Sequence, residues 1–336
     1  MYFMTKKKIR QIHKQIHLQK MIKTDYFRIR LSTIRAFEQM PFDIFLYLDG
    51  KLLTYLNQGQ MLTREKIANL HDKDSGESFF VHNSFKQIYR DHVKNSMNSD
   101  KISNHDKAAI LRESSIAILE DLYETPDVGR ALEEAKPIIS GLIEFMDNAP
   151  ESIGKLISLS GHDFYTYNHS FDVSIYSLGL GQALNFDKAT LEELGQSSLF
   201  HDIGKRNVPL EILCKKGPLD ENEWVKMRLH PTYGLKILNE FSGISDAIKA
   251  ACYEHHESWG GGGYPQDISG HEIHPFGRIV ALTDTYDAMT TQRSYNTPLN
   301  PTEALNMMKD KLSGRFDPDM LNAMYSTLFK MEKKVS

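Results

Sequence analysis

The chain has 336 residues, with 40 Lys and Arg against 44 Asp and Glu and a formal net charge of −4 at pH 7. That length accommodates two domains of ordinary size, and the near-neutral balance argues against a nucleic-acid binder with a broad basic face. No window approaches the ~18 apolar residues of a membrane-spanning helix. The two cysteines, Cys214 and Cys252, form no disulfide framework and no Cys-x-x-Cys motif, so a reduced cytoplasmic protein is expected.

Residues 1–30 hold nine Lys and Arg and a single acid, Asp25. Ile9, His13, Gln15 and Lys20 deny this start the continuous apolar stretch of a signal peptide, and residues 1–21 are expected to be a basic, disordered tail. Residues 22–100 read as a small α+β domain with a regulatory role. Phe42–Leu48 and Lys51–Leu56 are β-rich and flank Asp49-Gly50, a dipeptide that tolerates the positive φ angles of a hairpin turn. Ser78–Val81 predicts a third strand, and Thr63 to Leu70 a short helix before it. Aromatic residues here are read as core, and no motif in the domain carries chemistry. Asn95–Asn104 is polar and turn-prone, a boundary. Residues 101–150 predict a helical connector, with Ala108, Ile110, Leu111, Ile116, Leu119 and Leu122 at helical spacing, then Ala131, Leu132, Ala135, Ile138, Ile139 and Leu142. No strong strand signal follows, so the fold class is mainly α: an all-helical domain over 151–336, preceded by the small α+β domain.

A His-Asp dipeptide occurs four times, and context separates the copies. His71-Asp72 and His105-Asp106 lie in polar stretches read as loops, and His162-Asp163 reads as a helix start. His201-Asp202 ends an apolar helical run and falls on its inward face, seven residues after Leu194. A buried histidine beside a carboxylate is costly unless paired or metal-bound. Ile203-Gly204-Lys205 follows, with a glycine for a tight turn and a cation beside the pair. His169 shares an inward face with Val173, Tyr176 and Leu180 and, taken alone, reads as a satisfied core histidine. His230-Pro231 comes later, then Glu254-His255-His256-Glu257, where both imidazoles can reach one ion over a helix end. Four glycines, Gly260–Gly263, precede Tyr264-Pro265 and make a loop whose backbone can approach a ligand. Asp284 closes the apolar segment from Arg278.

Five histidines and two aspartates thus occupy inward positions. Imidazole with carboxylate suits first-row transition metals, and seven donors exceed one tetrahedral site, so two ions sharing a carboxylate fit better. Cys252 reads as core, His271 and His274 as solvated, Glu254 and Glu257 as orienters of imidazoles or surface carboxylates, and Asp287 as a cap or partner of a nearby base.

These motifs, continued by Arg293 with Tyr295 and by Phe316-Asp317-Pro318, resemble the HD-GYP family of cyclic di-GMP phosphodiesterases in the family's own order, over roughly residues 155–330. The resemblance implies a helical HD fold around two divalent transition metal ions, iron or manganese. His169, His201, Asp202 and Asp284 would hold one ion. Asp202 would bridge to a second, held by His230, His255 and His256. A water or hydroxide between the ions would attack phosphorus, Lys205 would stabilise the phosphoryl oxygens, and Gly263, Tyr264 and Arg293 would hold the dinucleotide. The products would be pGpG and, on further cleavage, GMP. Diguanylate cyclases or other signalling proteins are the partner class that this implies, and a homodimer is compatible with the connector helices.

The chain departs from the family pattern at Gly260 and Gly262, where an acid and a serine are usual, and at Ser258 and Asn296, where bases are common. Tyr165 stands where members with a third metal carry a glutamate. The metal-ligand complement is intact while substrate recognition is weakened. Hydrolysis of cyclic di-GMP is therefore the leading expectation, a cyclic-dinucleotide receptor with little turnover that signals through its N-terminal domain the second, and hydrolysis of another phosphate ester the third.

Overall fold

The structure is a computed structural model that describes residues 25–29, 33, 39–48, 51–63, 78–97, 99, 102–124, 127–149, 165–215, 217–291 and 297–335. The basic tail, the Asp49-Gly50 turn, the helix expected from Thr63 to Leu70, His71-Asp72, His162-Asp163 and Arg293 fall wholly or mostly outside these residues. Two compact units emerge, residues 1–117 and 118–336.

The first unit holds a four-stranded antiparallel sheet of β1 (Tyr26–Ile29), β2 (Ile44–Leu48), β3 (Lys51–Leu56) and β4 (Ser78–His82), in the order β1-β4-β2-β3. The expected hairpin is β2 with β3, and Leu48 pairs with Lys51 across the two-residue connection. Side chains alternate across each strand. Phe27, Ile29, Ile44, Leu56, Phe79 and Val81 therefore share one buried face with Met40, Phe42 and Leu62. Helix α1 (Lys86–Met97) follows, and Tyr89 packs its ring against Phe27 and Phe42.

Helix α2 (Asn104–Glu124) takes in His105-Asp106 in its first turn, where the polar sequence suggests a loop. Ser103 explains the difference: its Oγ accepts from the Asp106 amide at 3.1 Å and donates to the Asp106 carboxylate, so the polar stretch is a helix cap. The second unit continues with α3 (Val128–Asn148), α4 (Tyr165–Ala183), α5 (Lys188–Leu199), a 3-10 turn over Ile203–Asn207, and short α6 (Leu210–Leu213). Then come α7 (Glu221–Met227), α8 (His230–Asn239), α9 (Asp246–Glu254), α10 (Pro275–Thr290), α11 (Pro301–Lys311) and α12 (Pro318–Val335).

Helix α4 is buried on every side from Ser170 to Leu178. Its hydroxyls are consequently bonded inside the bundle: Ser174 donates to the Gly195 carbonyl at 3.1 Å, and Ser177 meets Thr283 at 2.9 Å. Around it α5 and α10 pack directly, and α9 packs on α5, α8 and α10. Val173, Leu180, Leu194, Ala251, Val280, Leu282 and Met308 fill the space between them. This arrangement turns the N-terminal part of α4, the end of α5, the start of α8, the end of α9 and the middle of α10 toward one point.

Candidate metal centre

Every metal ligand implied by the resemblance lies at that point. His169, His201, Asp202, His230 and His255 are each at most 2% exposed. Their donor atoms form two groups, His169 with His201 and Asp202, and His230 with His255 and His256, each within 4.8 Å of one another. Asp284 Oδ1 stands 3.1 Å from His169 Nε2. The Asp202 carboxylate joins the groups. Its Oδ2 faces Nε2 of His201 at 3.3 Å and of His169 at 3.6 Å, while its Oδ1 faces Nε2 of His230 at 3.2 Å and of His255 at 3.7 Å.

The back of each ring explains its aim. His201 Nδ1 donates to the Ser198 carbonyl at 2.7 Å, His230 Nδ1 to Met227 at 2.8 Å, and His255 Nδ1 to Cys252 at 2.9 Å. A carbonyl can only accept, so these rings carry their proton on Nδ1 and turn an Nε2 lone pair inward. These partners lie three residues back along the chain, so local backbone geometry presets the rings. His169 differs: its Nδ1 donates to Asp287 Oδ2 at 2.6 Å, across 118 residues. Asp287 therefore pairs with a base, one of the two roles that the sequence suggested, and in doing so fixes the His169 ring.

The donor set fits divalent cations. His201 Nε2 and Asp202 Oδ1 are buried with no hydrogen-bond partner, a state that costs about 1–3 kcal/mol per group in a folded interior. Nε2 of His230 and His255 approach to 3.1 Å, lone pair toward lone pair. A cation between them relieves both conditions. Electrostatics agree. Burial, then the neighbouring His201 and His230, pulls His255 down to about 3, and burial with His255 holds His256 well below the usual imidazole range. Burial also opposes charge on Asp202, but Lys205 and His201 override it and hold the carboxyl well below its ordinary value. For His169 burial is likewise overridden, here by hydrogen bonds to Asp284 and Asp287, which raise it to about 10. That proton must leave when a metal takes Nε2.

Gly204 decides whether the two halves meet. A Cβ there would lie 1.9 Å from the His230 carbonyl oxygen, so only glycine lets α8 close on the turn after Asp202. Beneath this turn the Tyr123 hydroxyl donates to the Asp202 carbonyl at 2.9 Å, a contact with no signal in the sequence. Lys205 pairs with Asp202 Oδ2 and remains partly exposed. The solvent side of the centre comprises Lys205, His256, Asp284 and Tyr264, the last stacked on His256 with ring centroids 4.7 Å apart.

The glycine loop packs on its own chain more than the sequence suggested. Gly263 lies where a Cβ would be 2.5 Å from Glu257 Cα, and the Gly260 amide donates to the Gly314 carbonyl at 2.9 Å. Glu257 Oε1 accepts from the Gln266 amide at 2.6 Å and ties the loop down. Glu254 accepts from the His274 amide at 2.6 Å. His274 is half-buried rather than solvated, because its Nδ1 accepts from the Phe276 amide and caps α10. His271 is exposed and Cys252 is buried core, both as expected.

Comparisons with known proteins place this geometry in context. A cyclic di-GMP phosphodiesterase of Pseudomonas aeruginosa is 31% identical over 218 residues, covering 64% of this chain and 52% of the relative. A 3'3'-cGAMP-specific phosphodiesterase of Vibrio cholerae is 33% identical over 177 residues, covering 53% of this chain and 38% of the relative. The chain thus spans about half, or less, of these relatives' lengths. A solved HDG"Y"P protein from Bdellovibrio bacteriovorus shares the fold, with a TM-score of 0.71 at 19% identity over 90% of this chain and 99% of that one. Residues 151–320, which carry every residue of the metal cluster, match the HD domain family model, and the chain belongs to that family.

Proposed function

We propose that this protein is a metal-dependent phosphodiesterase that opens cyclic di-GMP to pGpG, with GMP as a further product. One observation carries the reading: a single buried carboxylate, Asp202, turns one oxygen to each of two sets of imidazole Nε2 atoms. That is the arrangement a pair of ions requires in order to share one ligand. His169, His201, Asp202 and Asp284 would hold the first ion, and Asp202, His230, His255 and His256 the second. Iron is the proposed metal and manganese the alternative. When bound, the pair would supply Lewis acidity and a water acidic enough to attack phosphorus near neutral pH.

The chain's own groups do the rest. Carbonyl and carboxylate partners lock four of the rings before any ion arrives, so little reorganisation accompanies binding. Lys205, partly exposed beside Asp202, is placed to stabilise charge growing on the phosphoryl oxygens. Tyr264 and Gly263 border the open side and would hold the dinucleotide with Arg293. Residues 151–336 are proposed as the catalytic domain, 101–150 as its connector and 22–100 as a regulatory domain. No described helix is long and apolar enough to cross a membrane, which is compatible with work in the cytoplasm.

The relatives supply a second substrate. Both cyclic di-GMP and 3'3'-cGAMP phosphodiesterases align at similar identity, so the two nucleotides belong in one assay. Protein purified without oxygen is expected to carry about two ions per chain, counted as iron, manganese and zinc, and to release a linear dinucleotide, with His201→Ala and Asp202→Ala inactive. Nucleotide binding without product would replace the enzyme by a receptor. Fresh wild-type protein free of metal would overturn the ligand assignment.

A further inference from the structure

A cyclic dinucleotide carries two phosphodiester groups, each with one negative charge, and a metal centre engages only the one being cut. The second phosphate needs a cation elsewhere. Ser258 and Asn296 supply none. Lys205 pairs with Asp202 and so serves the phosphate being cut. Arg293 lies outside the described residues. Of the other arginines near the opening, Arg206 donates to the Leu122 carbonyl at 3.2 Å and Arg278 is paired with Asp317 at 2.7 Å, while Arg315 and Arg228 both act on Tyr264.

Arg228 is differently placed. It follows α7 and stands two residues before His230, and the intervening backbone is held because Met227 accepts the His230 Nδ1 proton. Its side chain is exposed. The guanidinium carbon lies 4.4 Å from the centroid of the Tyr264 ring, the ring that also stacks on His256. No ion-pair partner holds it among the described residues. A guanidinium on an aromatic face keeps its N–H edges free, and those edges match two phosphate oxygens at once. The chain Arg228–Tyr264–His256 therefore runs from an open cation to the second metal group in two contacts. Burial, then Asp284 and Asp202, push the Tyr264 hydroxyl up, while Arg315 and Arg228 oppose them from the same edge of the opening.

We propose that Arg228, seated on Tyr264, binds the uncut phosphate of a cyclic dinucleotide and makes this site selective for substrates with two phosphodiesters. The proposal rests on the phosphodiesterase reading and sharpens its substrate class. The Tyr264 ring is the platform that sets the position of the guanidinium.

The test measures equilibrium binding of fluorescent cyclic di-GMP to the metal-replete full chain, with turnover of cyclic di-GMP and of bis(p-nitrophenyl) phosphate, which has one phosphate, alongside. Arg228→Gln is expected to weaken dinucleotide binding about tenfold, and Arg228→Lys to recover part of that loss. Its salt dependence should also fall by about one in the slope of log Kd against log salt. Lys226→Gln, an equal change of charge on the exposed face of α7, should do neither. A loss in kcat/KM several-fold larger for cyclic di-GMP than for the one-phosphate diester would support the assignment. Equal losses for both, an unchanged salt slope, or the same effect from Lys226→Gln would overturn it. Wild-type protein that binds cyclic di-GMP without cutting it would sink the enzyme reading and leave the role of Arg228 to the binding data. Wild-type protein that cuts the small diester yet binds no dinucleotide would sink the inference and keep the hydrolase.

Discussion

The floor of the metal centre and its rim are built by different means. On the floor, His201, His230 and His255 are buried, and each is held by a carbonyl three residues earlier in the chain. On the rim, Lys205, Tyr264 and Arg228 have solvent on one side and are held by contacts between loops and turns. A ligand that must present one lone pair in one direction needs a closed, preset environment. A group that must meet a phosphate entering from water needs an open one. The contrast predicts that floor substitutions act on metal content and folding, and rim substitutions on substrate affinity.

Asp202→Ala is the largest expected break in that pattern. It removes the carboxylate shared by both groups, so elemental analysis should find both ions depleted and turnover should fall on the order of 1,000-fold or more. Retention of two ions would mean that Asp202 bridges nothing. Gly204→Ala comes next. The added methyl would lie 1.9 Å from the His230 carbonyl oxygen, and a clash with backbone should cost about 3 kcal/mol of stability by chemical denaturation. An unchanged denaturation midpoint would show that α8 can retreat from the turn without cost. Asp287→Asn keeps the shape but weakens the anchor of His169, and should lower metal affinity about 10- to 100-fold in a chelator competition. Tyr123→Phe is the smallest. It deletes the hydroxyl that bonds the Asp202 carbonyl, so about 1 kcal/mol of stability should go, with metal stoichiometry retained.

The floor was largely legible in the sequence because its logic is local. His169 with Val173, Tyr176 and Leu180 reads as one inward helical face, and all four are at most 9% exposed. His201-Asp202 after an apolar run, the glycine that follows and the histidine pair at a helix end are likewise short-range patterns. The hairpin also belongs to this class, since alternation and a two-residue connection fix its register. His105-Asp106 shows the limit. Polar residues mark a loop or a helix start equally well, and Ser103 was the deciding residue. Asp287 shows a deeper one. Three residues after Asp284, its spacing fits a cap or a partner of a base, and only the packing of α10 on α4 makes His169 that base.

By itself the sequence determined which side chains must be buried and which chemistry they carry, because helical period and donor type are properties of neighbouring residues. The tertiary structure alone decided that one Asp202 oxygen faces each imidazole group, that Tyr123 supports the Asp202 carbonyl and that Arg228 lies on Tyr264. His201 adjoining Asp202 apart, those contacts join residues 28 to 79 apart in the chain, and nothing in a residue's own neighbourhood encodes a partner that only the folding of other helices brings within reach.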